Sequence, residues 1–400
     1  MDKSFPLAYY LFLCVLYLIA SPFLAILSLK KKYSHSIPAR FFLKNFKLEF
    51  FPTYWFHACS FGESKSYEPI LNALLQREPN AKILLTCTTN TGFTYLKSFQ
   101  DSHPHNFIIH YLPFEIFLPF WLPSLQSLKT LVVTEAELWK MLFWVGKKAK
   151  AKTLLVNARI SDRSKQSYER MKWFYSSLFC YVDKVLAQSQ IDKERLESLG
   201  AKNVSSFGNL KIFSTPKVIH HYTKSRDIIL CASSHKDEEK LVLDAFLPLK
   251  LDATLIITPR HPERFGEVEE LCKQTCKKYA KTFSTYKEAW GDVVLVNALG
   301  ELNNFYAIAD CVILCGSFAP IGGHNPLEPA FFHTSLLSGK HIYNQKALFA
   351  LIEGYELIES KDLKEKLKNY KSLPHSSIKE SESKFDELIG LIQNSLCPPA

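Results

Sequence analysis

The sequence predicts an α/β protein: two doubly wound, parallel-sheet domains behind an apolar N-terminal helix. Three observations predict it. From residue 33 onward short β-rich runs alternate with amphipathic helical stretches, the pattern of parallel strands covered by helices on both faces. The runs fall into two series, and 400 residues exceed what one ordinary core organises. Ahead of them, Leu7–Leu29 contains no charged residue. Disorder is excluded, because 47% of the chain is hydrophobic and no long polar tract interrupts it.

As a helix, Leu7–Leu29 would extend roughly 34 Å, enough to cross a bilayer core. A cleaved leader has a shorter apolar segment, roughly 7–15 residues. Lys30, Lys31 and Lys32 follow at once, so a retained anchor is expected, with the lysines and all that follows on the cytoplasmic side. Pro22 predicts a kink, and the tyrosines leave a second arrangement open, a helix lying in the membrane interface. The first strand series is Tyr54–Ala58, Ile83–Thr86, Phe107–Tyr111, Leu131–Thr134, Thr153–Val156, Lys184–Ala187 and Val204–Phe207. The second is Ile228–Ala232, Thr254–Thr258, Val293–Val296, Cys311–Cys315 and Thr334–Leu337. Helical patterns lie between them at Glu68–Gln76, Lys193–Leu199, Glu238–Leu247 and Phe265–Tyr279. The expected division is an anchor over 1–32, one domain over 33–207 and a second over 208–400, joined near Gly208–Tyr222. Lys361–Lys371 reads as a solvated helix and Ser376–Ser383 as a surface loop. In such a fold ligands bind at the carboxyl ends of strands, so a cleft between the domains is the expected site.

The net charge of +10 favours acidic partners: phosphorylated lipids, nucleotides or nucleic acid. No recognition helix, zinc finger or aromatic-basic RNA signature accounts for it, so nucleic acid is set aside. Ten cysteines are too few for a disulfide scaffold; Cys59, Cys87, Cys180, Cys231, Cys311 and Cys315 lie in apolar or small-residue runs that suit buried thiols in a reducing compartment.

The chemistry-bearing motifs sit at strand ends. His57-Ala58-Cys59-Ser60-Phe61-Gly62-Glu63 runs from a strand through a turn into a helix. There Glu63 is either a general base for a substrate hydroxyl or a capping carboxylate. Thr86–Gly92 is hydroxyl-rich, as turns or ligand loops are. Glu135-Ala136-Glu137-Leu138-Trp139 brings two carboxylates and an aromatic after Leu131–Val133. If a helix begins there, only one carboxylate faces the site. Arg159 and Arg163, at i and i+4, would share a helix face and clamp phosphate or carboxylate, or else pair with Asp162 or Glu135. Lys211 follows Gly208-Asn209-Leu210 near the linker.

The second half carries Ser233-Ser234-His235-Lys236-Asp237-Glu238-Glu239, then Pro259-Arg260-His261-Pro262-Glu263-Arg264-Phe265, then Leu299-Gly300-Glu301 before a helix ending at Asp310. Gly316-Ser317 and Gly322-Gly323-His324-Asn325-Pro326-Leu327-Glu328 close the series. Paired glycines permit close backbone approach, a helix opening at Pro326 offers amides to phosphate, and Glu328 suits ribose hydroxyls. Nucleotide binding is therefore the expected role of this half. There is no Walker A motif, no kinase set and no metal-binding Asp-x-Asp, and the Cys272/Cys276 and Cys311/Cys315 pairs lack partners for zinc; no metal is expected.

Taken in order, these segments resemble the Kdo transferases, the 3-deoxy-D-manno-octulosonic acid transferases of lipopolysaccharide assembly. The resemblance rests on nine collinear motifs, of which Pro259–Phe265 and Gly323–Glu328 are the most specific. It implies a GT-B glycosyltransferase with CMP-Kdo held by the C-terminal domain and a lipid A precursor by the N-terminal one. It also implies inverting transfer without a metal or other cofactor, at the inner membrane. By the same resemblance Glu63 is the general base, and Glu135 and Lys211 stabilise the transition state. Pro259, Arg260, Leu299, Gly300, Glu301, Asn325, Pro326, Leu327 and Glu328 bind CMP. Ser60, Gly62, Arg159, Ser234, His235, His261, Ser317 and His324 are further candidate contacts. Lys140, Ala136 and Cys315 depart from the family pattern, which has proline, threonine and glycine there. A membrane-associated GT-B transferase using a UDP-sugar is the alternative enzyme, and a non-catalytic scaffold on a degenerate fold the alternative outside catalysis.

Overall fold

The computed structural model describes residues 4–379 and 381–394. They form two compact units, one running to Ser214 and resumed from Glu382, the other Thr215–Ser381.

The first unit is a seven-stranded sheet of β1 (Tyr54–Ala58), β2 (Ile83–Cys87), β3 (Phe107–Tyr111), β4 (Thr130–Thr134), β5 (Lys152–Ala158), β6 (Lys184–Ala187) and β7 (Val204–Ser206), in the order β3-β2-β1-β4-β5-β6-β7. All pairings are parallel. Every residue of β1, β2 and β4 is buried, because helices cover both faces. Trp55, Leu84, Ile108, Leu131 and Leu155 supply its core. The order reverses between β1 and β4, the topological switch point at which open α/β sheets bind ligands.

The second unit repeats the plan with β8 (Asp227–Ser234), β9 (Ala253–Pro259), β10 (Phe283–Thr285), β11 (Val293–Leu295), β12 (Cys311–Leu314) and β13 (Ser335–Gly339). β14 (Ile352–Glu353) and β15 (Tyr355–Ile358) follow, then β16 (Ser377–Ile378). The parallel sheet has the order β10-β11-β9-β8-β12-β13-β15, with its switch point between β8 and β12. β14 and β16 pair antiparallel beside it.

All twelve expected strands are present, their ends displaced by two residues at most. Several other expectations change. The first unit extends to Ser214, and the C-terminal helix Ser381–Gln393, expected within the second domain, packs on the first. Leu388, Ile389 and Ile392 are fully buried there, and the Thr130 hydroxyl donates to the Ile392 carbonyl at 2.6 Å. Lys361–Lys371 is not a solvated helix: Leu363 and Leu367 are buried, and the Tyr370 hydroxyl donates to Asp227 at 2.6 Å. The expected Ser376–Ser383 loop contains a buried Ser376 and strand β16, with residue 380 outside the described set. The helix after Gly300 spans only Leu302–Tyr306, because Asp310 is drawn to the Ile228 amide at 2.8 Å. Helix Leu7–Leu27 runs unbroken through Pro22. Proline leaves the Leu18 carbonyl without its usual donor, and the Ser21 hydroxyl takes that place at 3.1 Å. Cys180, expected buried, is exposed at the end of helix Lys172–Phe179.

Candidate active site

In the first unit the site is built at the carboxyl ends of β1, β4 and β5. β1 ends in a turn whose Ser60 caps helix Phe61–Ser66, accepting from the Glu63 amide at 3.4 Å. Glu63 answers: Oε2 accepts from the Cys59 amide at 2.7 Å and Oε1 from the Ser60 hydroxyl at 2.8 Å. This reciprocal arrangement is a variant of the capping box, with the Cys59 amide in place of the Ser60 amide, so the structural role foreseen for Glu63 is real. Its carboxyl is nonetheless held above the ordinary range. Burial raises it, the Cys59 amide and Ser60 hydroxyl lower it, and the charges of Glu135 and Glu137 raise it further. Gly62 faces open space beside it.

β4 ends at Thr134, and Glu135 takes a left-handed turn at φ 55° that separates it from Glu137. The two carboxylates therefore diverge. Glu135 faces Arg159, Oε2 to Nε 3.6 Å, and lies 3.4 Å from the Asn157 side-chain amide. Glu137 accepts from Trp139 Nε1 at 2.7 Å and lies 3.6 Å from Nε2 of the buried His57. Burial raises the Glu137 carboxyl, but the His57 ring and the Trp139 donor outweigh it and hold the group low. His57 is fixed in turn by Thr86, Nδ1 to Oγ1 3.0 Å. The hydroxyls of Thr88 and Thr89 brace the same turn, Thr89 donating to the Cys59 carbonyl at 2.7 Å. Asn157 is the junction that sequence reasoning missed: it also accepts from the Leu210 amide at 3.1 Å, which ties the Glu135 site to the segment carrying Lys211. Lys211 is exposed and makes no ion pair among the described residues. Arg159 and Arg163 do not share a helix face, because the helix starts only at Asp162; the pairing with Glu135 is what forms.

Near this edge, at the ends of β2 and β3, lies a cavity of about 620 Å³. Phe46, Phe93, Ile109 and Trp121 give it apolar walls, and Lys44 and Lys97 stand at it without an ion pair among the described residues.

In the second unit the switch point is occupied by an ionisable side chain. Glu238 is 2% exposed, and its carboxylate accepts from the amides of His235 (3.0 Å), Gly316 (2.7 Å), Ser317 (3.2 Å), Phe318 (3.0 Å) and Ala319 (3.4 Å). Gly316 must be glycine: its φ is 71°, and a Cβ would lie 2.7 Å from the His324 ring. Above this nest three histidines cluster. His235 and His324 stack with Nε2 to Nε2 2.8 Å, and His261 meets His235 edge-on at 5.1 Å. His324 is pushed down to about 4 by burial, then by the positive potential of His235, Arg260 and His261. His235 is lowered too, chiefly by burial. Arg260 is exposed at the end of β9 and makes no ion pair among the described residues, whereas Arg264 is committed to the buried Glu239 at 2.7 Å.

Other expected contacts lie elsewhere. Ser234 donates to Glu239 at 2.9 Å and Ser317 to the Leu314 carbonyl at 2.6 Å; both are fully buried and serve the fold. Glu301 holds the incoming segment, accepting from Tyr222 at 2.9 Å and Asn304 at 2.7 Å, with His220 at 3.2 Å. Leu299 is exposed, and Gly300 adjoins open space at φ 87°. After Pro326 the helix has five residues, and its Leu327 amide is already paired, donating to Asn325 at 3.1 Å; Asn325 also donates to Glu328 at 3.3 Å. Pro259 is buried as the last residue of β9. Among the described residues no group of three His, Cys, Asp or Glu side chains could hold a metal.

Comparison with known proteins places these features in a family. Residues 35–214 match the family of 3-deoxy-D-manno-octulosonic-acid transferases (kdotransferase). A 3-deoxy-D-manno-octulosonic acid transferase from Aquifex aeolicus is 30% identical over 323 residues, covering 78% of this chain and 84% of that protein. A bifunctional glycosyltransferase/methyltransferase from Fusobacterium nucleatum is 31% identical over 309 residues, 72% of this chain; the match spans 47% of that longer protein. Among solved structures, a UDP-N-acetylglucosamine 2-epimerase shares the fold, with a TM-score of 0.52 at 12% identity over 85% of this chain and 90% of that one.

Proposed function

The chain belongs to the 3-deoxy-D-manno-octulosonic acid (Kdo) transferase family, glycosyltransferases of lipopolysaccharide assembly with two GT-B-type α/β domains, and we propose that it moves Kdo from CMP-Kdo to a lipid A precursor. The acceptor is a phosphorylated, acylated glucosamine disaccharide, and transfer takes place with inversion at the cytoplasmic face of the inner membrane. The observation that carries this reading is Glu63, a half-buried carboxylate with a raised pKa at the end of β1, beside the first unit's switch point.

A sugar hydroxyl is a poor nucleophile at neutral pH. Glu63 removes its proton as the new carbon–oxygen bond forms, a contribution of roughly 10²–10⁴ in rate. The bond to the CMP phosphate breaks at the same time, and the electron pair leaves with CMP. Arg260 and the histidines His235, His261 and His324 supply donors for that phosphate, each such contact worth about 2–4 kcal/mol in the transition state. Glu135, oriented by Asn157 and Arg159, and the exposed Lys211 stabilise charge on the acceptor side. The cavity at the ends of β2 and β3 suits an amphipathic anion: aromatic walls for an acyl chain, Lys44 and Lys97 for phosphate.

Purified protein given CMP-Kdo and tetra-acylated precursor is expected to yield a product heavier by Kdo in mass spectrometry. Binding is expected to be displaced by CMP and not by UDP. No product with that pair, or displacement by UDP alone, overturns the assignment.

The histidine cluster adds a pH dependence. Depressed pKa values keep His235 and His324 neutral in the free protein, where Glu238 and Glu239 act against the depression of His235 and Arg260, His261 and Arg264 favour depression. An arriving phosphate favours the protonated ring, so binding takes up a proton and tightens as pH falls. CMP affinity is expected to rise about two- to fivefold from pH 8 to 6.5, and the dependence to vanish in His324→Gln; titration calorimetry in buffers of different ionisation heat reads the proton directly. The stability sign is the reverse. The unfolded chain binds this proton below about 6.5 and the folded one only near 4, so the second unit loses stability across that window as pH falls.

A further inference from the structure

The N-terminal helix is docked on the first unit through its first half, up to Tyr17, and we infer that it lies in the plane of the membrane, pressing its outer face into an anionic lipid surface, rather than crossing the bilayer. Its start and its middle are tied to the same body. At the start, Phe5 packs edge-on against Trp144 at 4.9 Å and Tyr181 donates to the Ser4 carbonyl at 3.3 Å. Tyr9 donates to the buried Glu115 at 2.6 Å, Tyr10 to the Ile116 carbonyl at 3.0 Å and Tyr17 to the Phe41 carbonyl at 2.9 Å. Five residues beyond the helix, Asn90 donates to the Lys32 carbonyl at 2.7 Å.

The helix has two faces of opposite fate. Tyr9, Tyr10, Leu13, Tyr17 and Leu24 fall on one side at helical spacing and are buried or half-buried, Leu13 to 4% exposure. Phe12, Val15, Ile19, Phe23 and Ile26 fall on the other and stand free, Ile19 to 74%. A helix crossing a bilayer would have to strip its tyrosines from Glu115 and the two carbonyls, leaving a buried carboxylate without its hydroxyl donor. Lying flat breaks none of these bonds. The elements that flank the helix add exposed apolar groups: Phe120 in the segment Glu115–Leu125, and Trp173, 70% exposed, next to the Phe174 that meets Tyr9 at 5.3 Å. Lys30, Lys31 and Lys32 continue from the helix, all exposed. An apolar stripe beside a cluster of lysines is the chemistry of an anionic phospholipid interface.

Phe12, Ile19 and Ile26 are seven residues apart and share the outer face, so they report depth. Each is replaced singly by tryptophan in the full chain, reconstituted with phosphatidylcholine–phosphatidylglycerol vesicles, and its added fluorescence is quenched by lipids brominated at different depths. The three positions are expected at one shallow depth, about 5–10 Å below the headgroup boundary. A spanning helix would instead put Ile19→Trp near the midplane, about 15 Å deep, with the other two toward opposite faces, and that result overturns the inference. Absence of quenching together with a dimer in detergent would assign the face to a second copy and overturn it equally. A second measurement does not depend on tryptophan: changing Lys30, Lys31 and Lys32 together to glutamine is expected to weaken partition onto the anionic vesicles at least about tenfold, and unchanged partition counts against the lipid surface. Neither readout involves Kdo, so failure here leaves the proposed transfer standing.

Discussion

Glu63→Gln is expected to lower turnover by at least about a hundredfold while leaving CMP affinity within about twofold of the parent. The substitution separates two roles that the structure superimposes. Glutamine keeps a carbonyl oxygen for the Cys59 amide at the position of Oε2, and its amide faces a Ser60 hydroxyl that can accept as well as donate. The turn and helix Phe61–Ser66 therefore survive, and thermal unfolding should move by no more than the loss of a cap, about 1 kcal/mol. What glutamine cannot do is take a proton. If capping is the whole function of Glu63, the stability change appears and turnover stays near normal, which would remove Glu63 as base. The pH profile gives a second test. A general base works deprotonated, and burial with two neighbouring carboxylates raises this one, so the acid limb of turnover should lie above the usual glutamate range. That limb should be absent from the residual activity of the variant.

The sequence revealed the fold where physics writes it into composition. Central parallel strands are buried on both faces, so residues 54–56 of β1, 131–133 of β4, 228–232 of β8 and 311–314 of β12 are unbroken apolar runs. The strands left out of the second parallel sheet, β10 and β15, are its two edges, half solvated and carrying Thr, Tyr and Glu; the two-residue antiparallel pair β14 and β16 was left out with them. The C-terminal helix shows its apolar face in Leu388, Ile389 and Ile392, but its partners Thr130 and Lys152 lie more than two hundred residues earlier, and no local pattern encodes that distance. Site residues divide in the same way. Glu63, Glu135 and Arg260 stood out because charge at a strand end is visible in one dimension. Ser234 and Ser317 looked equally exposed at strand ends, yet their hydroxyls close the local backbone. Asn157 was hidden because its partners are one side chain and one backbone amide brought together by folding.

Glu238 is the strongest case of this kind, and Glu238→Ala is expected to destabilise the second unit by about 3–5 kcal/mol. In sequence it is one of three acidic residues at a helix start, which ordinarily means a few tenths of a kcal/mol from the helix dipole. In the fold it is the acceptor for five amides, four of them from the Gly316–Ala319 turn that follows β12. The turn has no other means of satisfying those donors, because Gly316 and its neighbours converge on one point, and that point is a carboxylate. Removing it leaves buried N–H groups unpaired at the switch point, and His324 loses the backbone against which its ring rests. A unit of this size should then melt roughly 6–20 °C lower. Glu238→Gln keeps one acceptor oxygen but turns an N–H₂ toward amide donors, so it should fall between parent and alanine. The geometry supplies its own control. An emptied nest of converging amides is an anion site, so millimolar sulfate or phosphate should restore part of the melting temperature of Glu238→Ala and do little for the parent. A variant that melts with the parent, or one that anions do not rescue at all, would show that the amides find other partners and that Glu238 is merely a residue at a helix start.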